Sequence, residues 1–219
     1  ALAGGAYAVL APDASDDPSN AASTGAADSS GTPSATSAAS GSALEDSLVA
    51  CRDAVAAADA AVGEARTGVG HWATHVQARV DFEAGRIDEA TQKQRWAETR
   101  VLGPGDQARF AAADAAFQPR AEACAEVNLA AESTALGTSV EACQQRTAAL
   151  TAAVEAGAAA MTDWSNHLAD MKARVDGAID SSEGGDRWDH AFHMAPGNIN
   201  AFREAETALS QAPACTLPS

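Results

Sequence analysis

Aromatic residues make up only 5% of this 219-residue chain, tyrosine occurs once, and lysine is almost absent. The 14 Lys and Arg face 30 Asp and Glu, for a formal charge of −16. So few cations argue against nucleic-acid binding, which needs a basic surface opposite phosphate. They argue equally against adhesion of the folded part to anionic lipid. An acidic surface chiefly keeps an Ala-rich chain in solution. The N-terminal run "ALAGGAYAVLA" is shorter than the roughly 20 apolar residues a spanning helix requires. There is no C-x-x-C, Gly-rich phosphate loop, nucleophile elbow or H-E-x-x-H, so no residue is assigned a catalytic role.

The dominant positive feature is repetition. "HWATH" ends at His75 and "DWSNH" at His167, and the offset of 92 also relates Trp72 to Trp164. The same shift takes Cys51 to Cys143, Gly85 to Gly177, Ile87 to Ile179, Asp88 to Asp180 and Trp96 to Trp188. It continues ungapped to Pro104-Gly105/Pro196-Gly197 and Phe110/Phe202, and only Cys124 and Cys215 fall out of phase, by one residue. Scarce residues matching at one fixed shift indicate a tandem duplication, with units 44–135 and 136–219.

Residues 1–11 read as the end of a signal or anchor segment. Residues 12–43 are Ser, Ala, Thr, Gly, Pro and Asp almost throughout, a composition that cannot offset its own ordering entropy and reads as a disordered tether. Four cysteines follow, an even number at matched places. Behind an apolar N-terminus they point to structural disulfides in an oxidising compartment, and so to an extracytoplasmic protein, secreted or held at the cell envelope.

Leu48, Cys51, Val55, Ala58, Val62, Ala65, Val69, Trp72 and Val76 alternate spacings of three and four, as do Val140, Cys143, Thr147, Leu150, Val154, Gly157, Met161, Trp164, Leu168 and Met171. Each is the seam of one long helix. Gly85 and Gly177 read as turns, with Asp88 and Asp180 as N-caps of a returning helix. Gly103-Pro104-Gly105 and Ala195-Pro196-Gly197 are expected to kink or end that second arm. The fold expected is all-α, two αα-hairpins packed as a four-helix bundle. Cys51 lies 34 residues before Gly85 and Cys124 lies 39 after it, while Cys143 and Cys215 lie 34 before and 38 after Gly177. Arms this nearly equal favour Cys51–Cys124 and Cys143–Cys215. Cross-linking between the repeats is the alternative.

The same counting puts Trp72 and Trp96 at one height in the first hairpin, and Trp164 and Trp188 in the second. Each pair would fill the hairpin's core, with His75 or His167 capping it by a hydrogen bond. The competing reading is a metal site in the second repeat. His167 and Met171 share a helix face, and His190, His193 and Met194 lie on the returning arm. Imidazole with thioether suits copper, and imidazole with the nearby Asp163, Asp170 or Asp189 suits zinc. The first repeat has Arg79, Glu98, Val101 and Leu102 at the positions of Met171, His190, His193 and Met194, so that site cannot be shared. A cleft between the hairpins lined by tryptophan, open to a small ligand, is a third reading.

Trp164, His167, Met171, Gly177, Ile179, Trp188 and Cys215 form a pattern that resembles exported, Ala-rich helical proteins of actinobacteria. Trp72, His75, Gly85, Ile87, Trp96 and Cys124 follow it in the first repeat, where Arg79 departs from the methionine. The Pro-Gly interruption departs from that group's smoother second helix. The resemblance implies an envelope location and supplies no activity. The expected function is thus a non-catalytic structural or interaction module of the envelope, needing no cofactor. Its partner would be an envelope protein or ligand not named by the sequence, and it would touch the membrane only through its N-terminal anchor.

Overall fold

The computed structural model describes residues 35–127 and 134–217, so the expected signal segment and most of the tether lie outside the described residues. Among those residues there are four α-helices and no strand: α1 Ala35–Glu83, α2 Glu89–Phe117, α3 Thr134–Val175 and α4 Ser181–Gln211. A 3₁₀ turn, Gln118–Arg120, follows α2. None of the described helices is long and apolar enough to cross a membrane. α1 begins inside the segment expected to be tether, because alanine, the best helix former, recurs there often enough to extend the helix backwards.

The two turns are built alike. Gly85 and Gly177 take φ of 68° and 73°, the left-handed conformation that glycine adopts without a Cβ penalty. Gly85 N–H bonds Phe82 O and Arg86 N–H bonds Asp81 O. Gly177 to Arg174 and Ala178 to Ala173 repeat the arrangement, which closes the last helical carbonyls. Asp88 then accepts from Thr91 N, and Asp180 from Ser182 N and Glu183 N. These bonds to the ionised form hold both exposed carboxyls below the usual range.

Both second arms continue through their prolines, so neither arm ends there: Pro104 lies inside α2 and Pro196 inside α4. Each proline forfeits one helical bond at a cost of about 3 kcal/mol. The turns around it are anchored by burial, of Thr99, Gly103, Asp106 and Phe110 in α2 and of Ala195, Ile199 and Phe202 in α4. That packing outweighs the local preference.

The seams of α1 and α3 face each other, and residues 92 apart meet along them. Trp72 stacks on Trp164, His75 reaches His167, and a Cβ added to Gly157 would lie 2.7 Å from that of Ala65. Such pairing at several levels requires two parallel helices related by a local twofold running along the seam. α2 and α4 flank this central pair. Ion pairs Arg66–Glu206 (2.5 Å) and Arg109–Glu64 (3.1 Å) tie them to α1.

Disulfides Cys51–Cys124 and Cys143–Cys215 close the two hairpins, as the equal arms implied. Leu48, Val127 and Val140 bury them in a small second core. There the sulfurs of Cys51, Cys143 and Cys215 lie within 4.8 Å of one another. Closing loops of 73 and 72 residues contributes on the order of 4 kcal/mol each in a chain-entropy description.

Candidate functional site

The widest aromatic cluster sits on the local twofold, where α1 and α3 carry their Trp-x-x-His segments. Trp72 and Trp164 are fully buried and stacked, with centroids 4.9 Å apart and planes at 21°. This differs from the pairing expected from height alone, in which each tryptophan met its own hairpin's second one. The seam positions point α1 and α3 at each other, so the two large rings fill the centre together. Trp96 instead stacks on His75 at 5.5 Å and donates Nε1–H to the His75 carbonyl at 3.0 Å. His167 has Trp188 and Phe192 beside it at 6.1 and 5.1 Å. All five residues expected in an aromatic cluster therefore belong to one.

His75 and His167 are 1% and 2% exposed, and their Nε2 atoms are 3.3 Å apart. Burial pushes the His75 pKa down to about 3, helped by the charges of His167 and Arg100. Burial also lowers His167, to about 4, against an opposing pull from Asp170. Both rings are neutral at neutral pH. A hydrogen bond between two neutral imidazoles on a twofold cannot itself be symmetric, because one ring must donate and the other accept.

The outer shell sets the direction. His75 Nδ1 lies 2.8 Å from Thr99 Oγ1, and that hydroxyl donates to the Arg95 carbonyl at 2.8 Å. With its proton committed, the hydroxyl accepts from His75 Nδ1–H. His75 Nε2 is then a bare lone pair, and His167 must donate Nε2–H to it. His167 is left with an unprotonated Nδ1 that is buried and has no partner. The opposite arrangement would strand a buried N–H there, which native proteins avoid more strictly than an unfilled acceptor. The equivalent of Thr99 is Ala191, which has no hydroxyl to offer.

A second polar pair is inverted between the repeats. His71 Nδ1 meets Asp106 Oδ2 at 2.8 Å, and Asp106 also receives Arg109 at 2.7 Å. In the other repeat the acid sits on the first arm, where Asp163 accepts from Asn198 at 2.8 Å. Fully buried Asp106 thus has a hydrogen-bond partner in His71 and an ion pair with Arg109, as a buried carboxylate requires.

Two clefts flank the paired histidines. One, of about 240 Å³, lies on the twofold and is lined by residues of both repeats: His75 and His167, Trp96 and Trp188, Arg100 and Phe192, with Met171 at its side. The other, of about 590 Å³, belongs to the second repeat alone and lies between α3 and α4. His167, Ala191, His190 and Met194 line it, with Asp163, Asp170 and Arg187.

The five residues considered as metal ligands therefore do not form one set. Met171 borders the axial cleft, whereas His190 and Met194 share the larger cleft with His167. His193 is exposed, and its Nδ1 is spent on the carbonyl of Asp189 one turn back in α4. Asp170 is occupied by Arg187 at 2.9 Å, and Asp189 by Arg79 at 2.6 Å. Among the described residues, only Cys51, Cys143 and Cys215 gather three His, Cys, Asp or Glu donors within 4.8 Å, and all three are in disulfides.

Sequence reasoning missed Thr99, Phe192, Arg79 and Asp106. Phe192 contacts Trp72, Trp96 and both histidines, and Arg79 covers its other side with the guanidinium carbon 4.9 Å from the ring centre. The signal that could have found them is departure from the repeat. Thr99/Ala191, Arg100/Phe192, Arg79/Met171 and Asp106/Asn198 all differ between copies around an otherwise matching centre. No protein-family model matches the chain, and no curated protein or solved structure does either.

Proposed function

We propose that this chain is an exported, non-catalytic interaction module of the cell envelope, in which the Trp/His centre clamps two hairpins into one rigid body. The observation that carries the reading is the contact of Trp72 with Trp164 and of His75 with His167, each residue meeting its own repeat equivalent in full burial. Equivalents that meet on an axis are the natural outcome of a duplicated hairpin packing on its copy, which supports the tandem duplication. Neutral, buried rings engaged with each other act as core.

Two closed disulfides support an oxidising compartment. The apolar run at residues 1–11, the tether composition and the resemblance to exported actinobacterial proteins support retention at the membrane. Exposed Val101, Leu102 and Val175 are apolar surface available to a partner.

The reading is tested by topology. In producing cells, protease added to intact cells should degrade the bundle, and a maleimide shift after denaturation should appear only when the protein has first been reduced. A protected chain with free thiols would sink it.

A further inference from the structure

The departure from symmetry at the histidine pair leaves a donor atom with nothing to do, and it lies at a cleft. Thr99 accepts from His75 Nδ1 in the first repeat, whereas the position equivalent to Thr99 is Ala191, which offers His167 no hydroxyl and lines the larger cleft together with it. His167 is 2% exposed, and its Nδ1 is buried without a partner.

On the same cleft, His190 and Met194 stand one helical turn apart on α4, both exposed. The carboxylates of Asp163 and Asp170 on the same cleft are already engaged by Asn198 and Arg187. An exposed methionine and an exposed histidine that line one cleft with a buried, unpartnered imidazole nitrogen make up a nitrogen-nitrogen-sulfur donor set.

We infer that the cleft between α3 and α4 is a Cu(I) site, with His167 Nδ1 as its fixed ligand and His190 and Met194 as the two that close over the ion. Two imidazoles and a thioether are the soft, low-charge ligands that monovalent copper prefers over the divalent alternatives. The support behind His167 is the kind a metal-bound histidine needs: its other nitrogen donates a hydrogen bond, here to His75, which in turn donates to Thr99 and through it to the Arg95 carbonyl. That relay fixes the tautomer with Nδ1 bare before any ion arrives. The first repeat cannot do the same, since Thr99 fills the nitrogen and Glu98 and Leu102 stand where His190 and Met194 do. One copy has kept the core histidine and the other has opened it.

The test is anaerobic titration of the full chain with Cu(I), supplied as its acetonitrile complex without thiol reductant so that both disulfides stay closed, against a chromophoric Cu(I) chelator. One equivalent bound below micromolar is expected. Ala191→Thr is the decisive variant, because it restores the hydroxyl of the first repeat and should weaken binding at least about tenfold while leaving the fold intact or more stable. His190→Gln and Met194→Leu should each weaken it comparably. Met171→Leu and His193→Gln, at residues that do not line this cleft, should leave it unchanged.

Absence of binding tighter than micromolar overturns the site, and so does a Cu(I) affinity indifferent to Ala191→Thr in a protein whose melting curve shows it folded. Zn(II) binding that matches Cu(I) and survives Met194→Leu would overturn the thioether assignment.

Discussion

Thr99 Oγ1 lies 2.8 Å from His75 Nδ1, and both residues are buried. The hydroxyl both accepts from the imidazole and donates to the Arg95 carbonyl. Removing it strands a buried N–H, which costs about 1–3 kcal/mol. Thr99→Ala is therefore expected to lose that much stability in chemical denaturation, while Thr99→Ser, which keeps the hydroxyl, loses clearly less. Equal losses would mean that the methyl group, and not the hydrogen bond, matters at this position.

The direction of the histidine relay has a spectroscopic consequence. Long-range ¹H–¹⁵N correlation at neutral pH should show His75 protonated on Nδ1 and His167 on Nε2, two different neutral tautomers at equivalent positions. The reverse pair, or one tautomer in both, would remove the basis for an open Nδ1 on His167.

These buried rings also tie stability to pH. In the folded chain His75 titrates at about 3 and His167 at about 4, while an unfolded histidine titrates near 6.5. As pH falls below about 6.5 the unfolded chain therefore takes up protons that the folded chain refuses, and the equilibrium shifts towards unfolding. Stability is fully present above that value and is lost towards pH 4, with a limiting slope of about 1.4 kcal/mol per pH unit for each histidine. Below the folded values the loss levels off. The window is diagnostic because the carboxylates held low by caps and ion pairs, Asp81, Asp88 and Asp180, lose their contribution only at lower pH. Melting temperatures measured from pH 7 to 4.5 should fall steeply, and less steeply in His75→Gln. A flat profile would contradict burial of neutral rings.

The parts of this architecture readable in the sequence are those set by local chemistry and chain counting. Gly85 and Gly177 announce themselves as left-handed turn positions and Asp88 and Asp180 as caps, and arms of nearly equal length bring each cysteine pair together. The site was less readable because its key contacts cross between hairpins. Counting along one hairpin puts Trp72 level with Trp96, but level is not facing, and the seam turns Trp72 to Trp164 instead. Local rules also could not tell a kink from an end at Pro104 and Pro196, where tertiary packing carries the helix through. His193 and Met171 looked like ligands by spacing, yet neither lines the cleft of His167, His190 and Met194, and Met171 borders the axial one. Only the comparison of the repeats, position by position, exposes Thr99 and Ala191 as the difference that matters.

The closeness of α1 and α3 makes the last prediction, at the glycine where the two helix backbones meet through Ala65. A Cβ on Gly157 would come 2.7 Å from Ala65 Cβ and 3.3 Å from the Phe202 ring. Both helices would have to separate, because neither Ala65 nor the backbone beneath it can swing aside. Gly157→Ala should therefore cost about 1–3 kcal/mol as an overpacked core, despite the gain in helix propensity. Gly63, on α1, is the control, with nothing within 4 Å of its added Cβ. There Gly63→Ala should raise stability by about 0.5–1 kcal/mol through propensity alone. Ala65 and Gly157 are repeat equivalents, so exchanging them, as Ala65→Gly with Gly157→Ala, keeps one methyl group at the crossing. The exchange should recover most of the loss, a coupling that a double-mutant cycle measures directly. If Gly157→Ala instead stabilises as Gly63→Ala does, the two helices do not approach this closely, and the twofold seam that brings His75 to His167 loses its support.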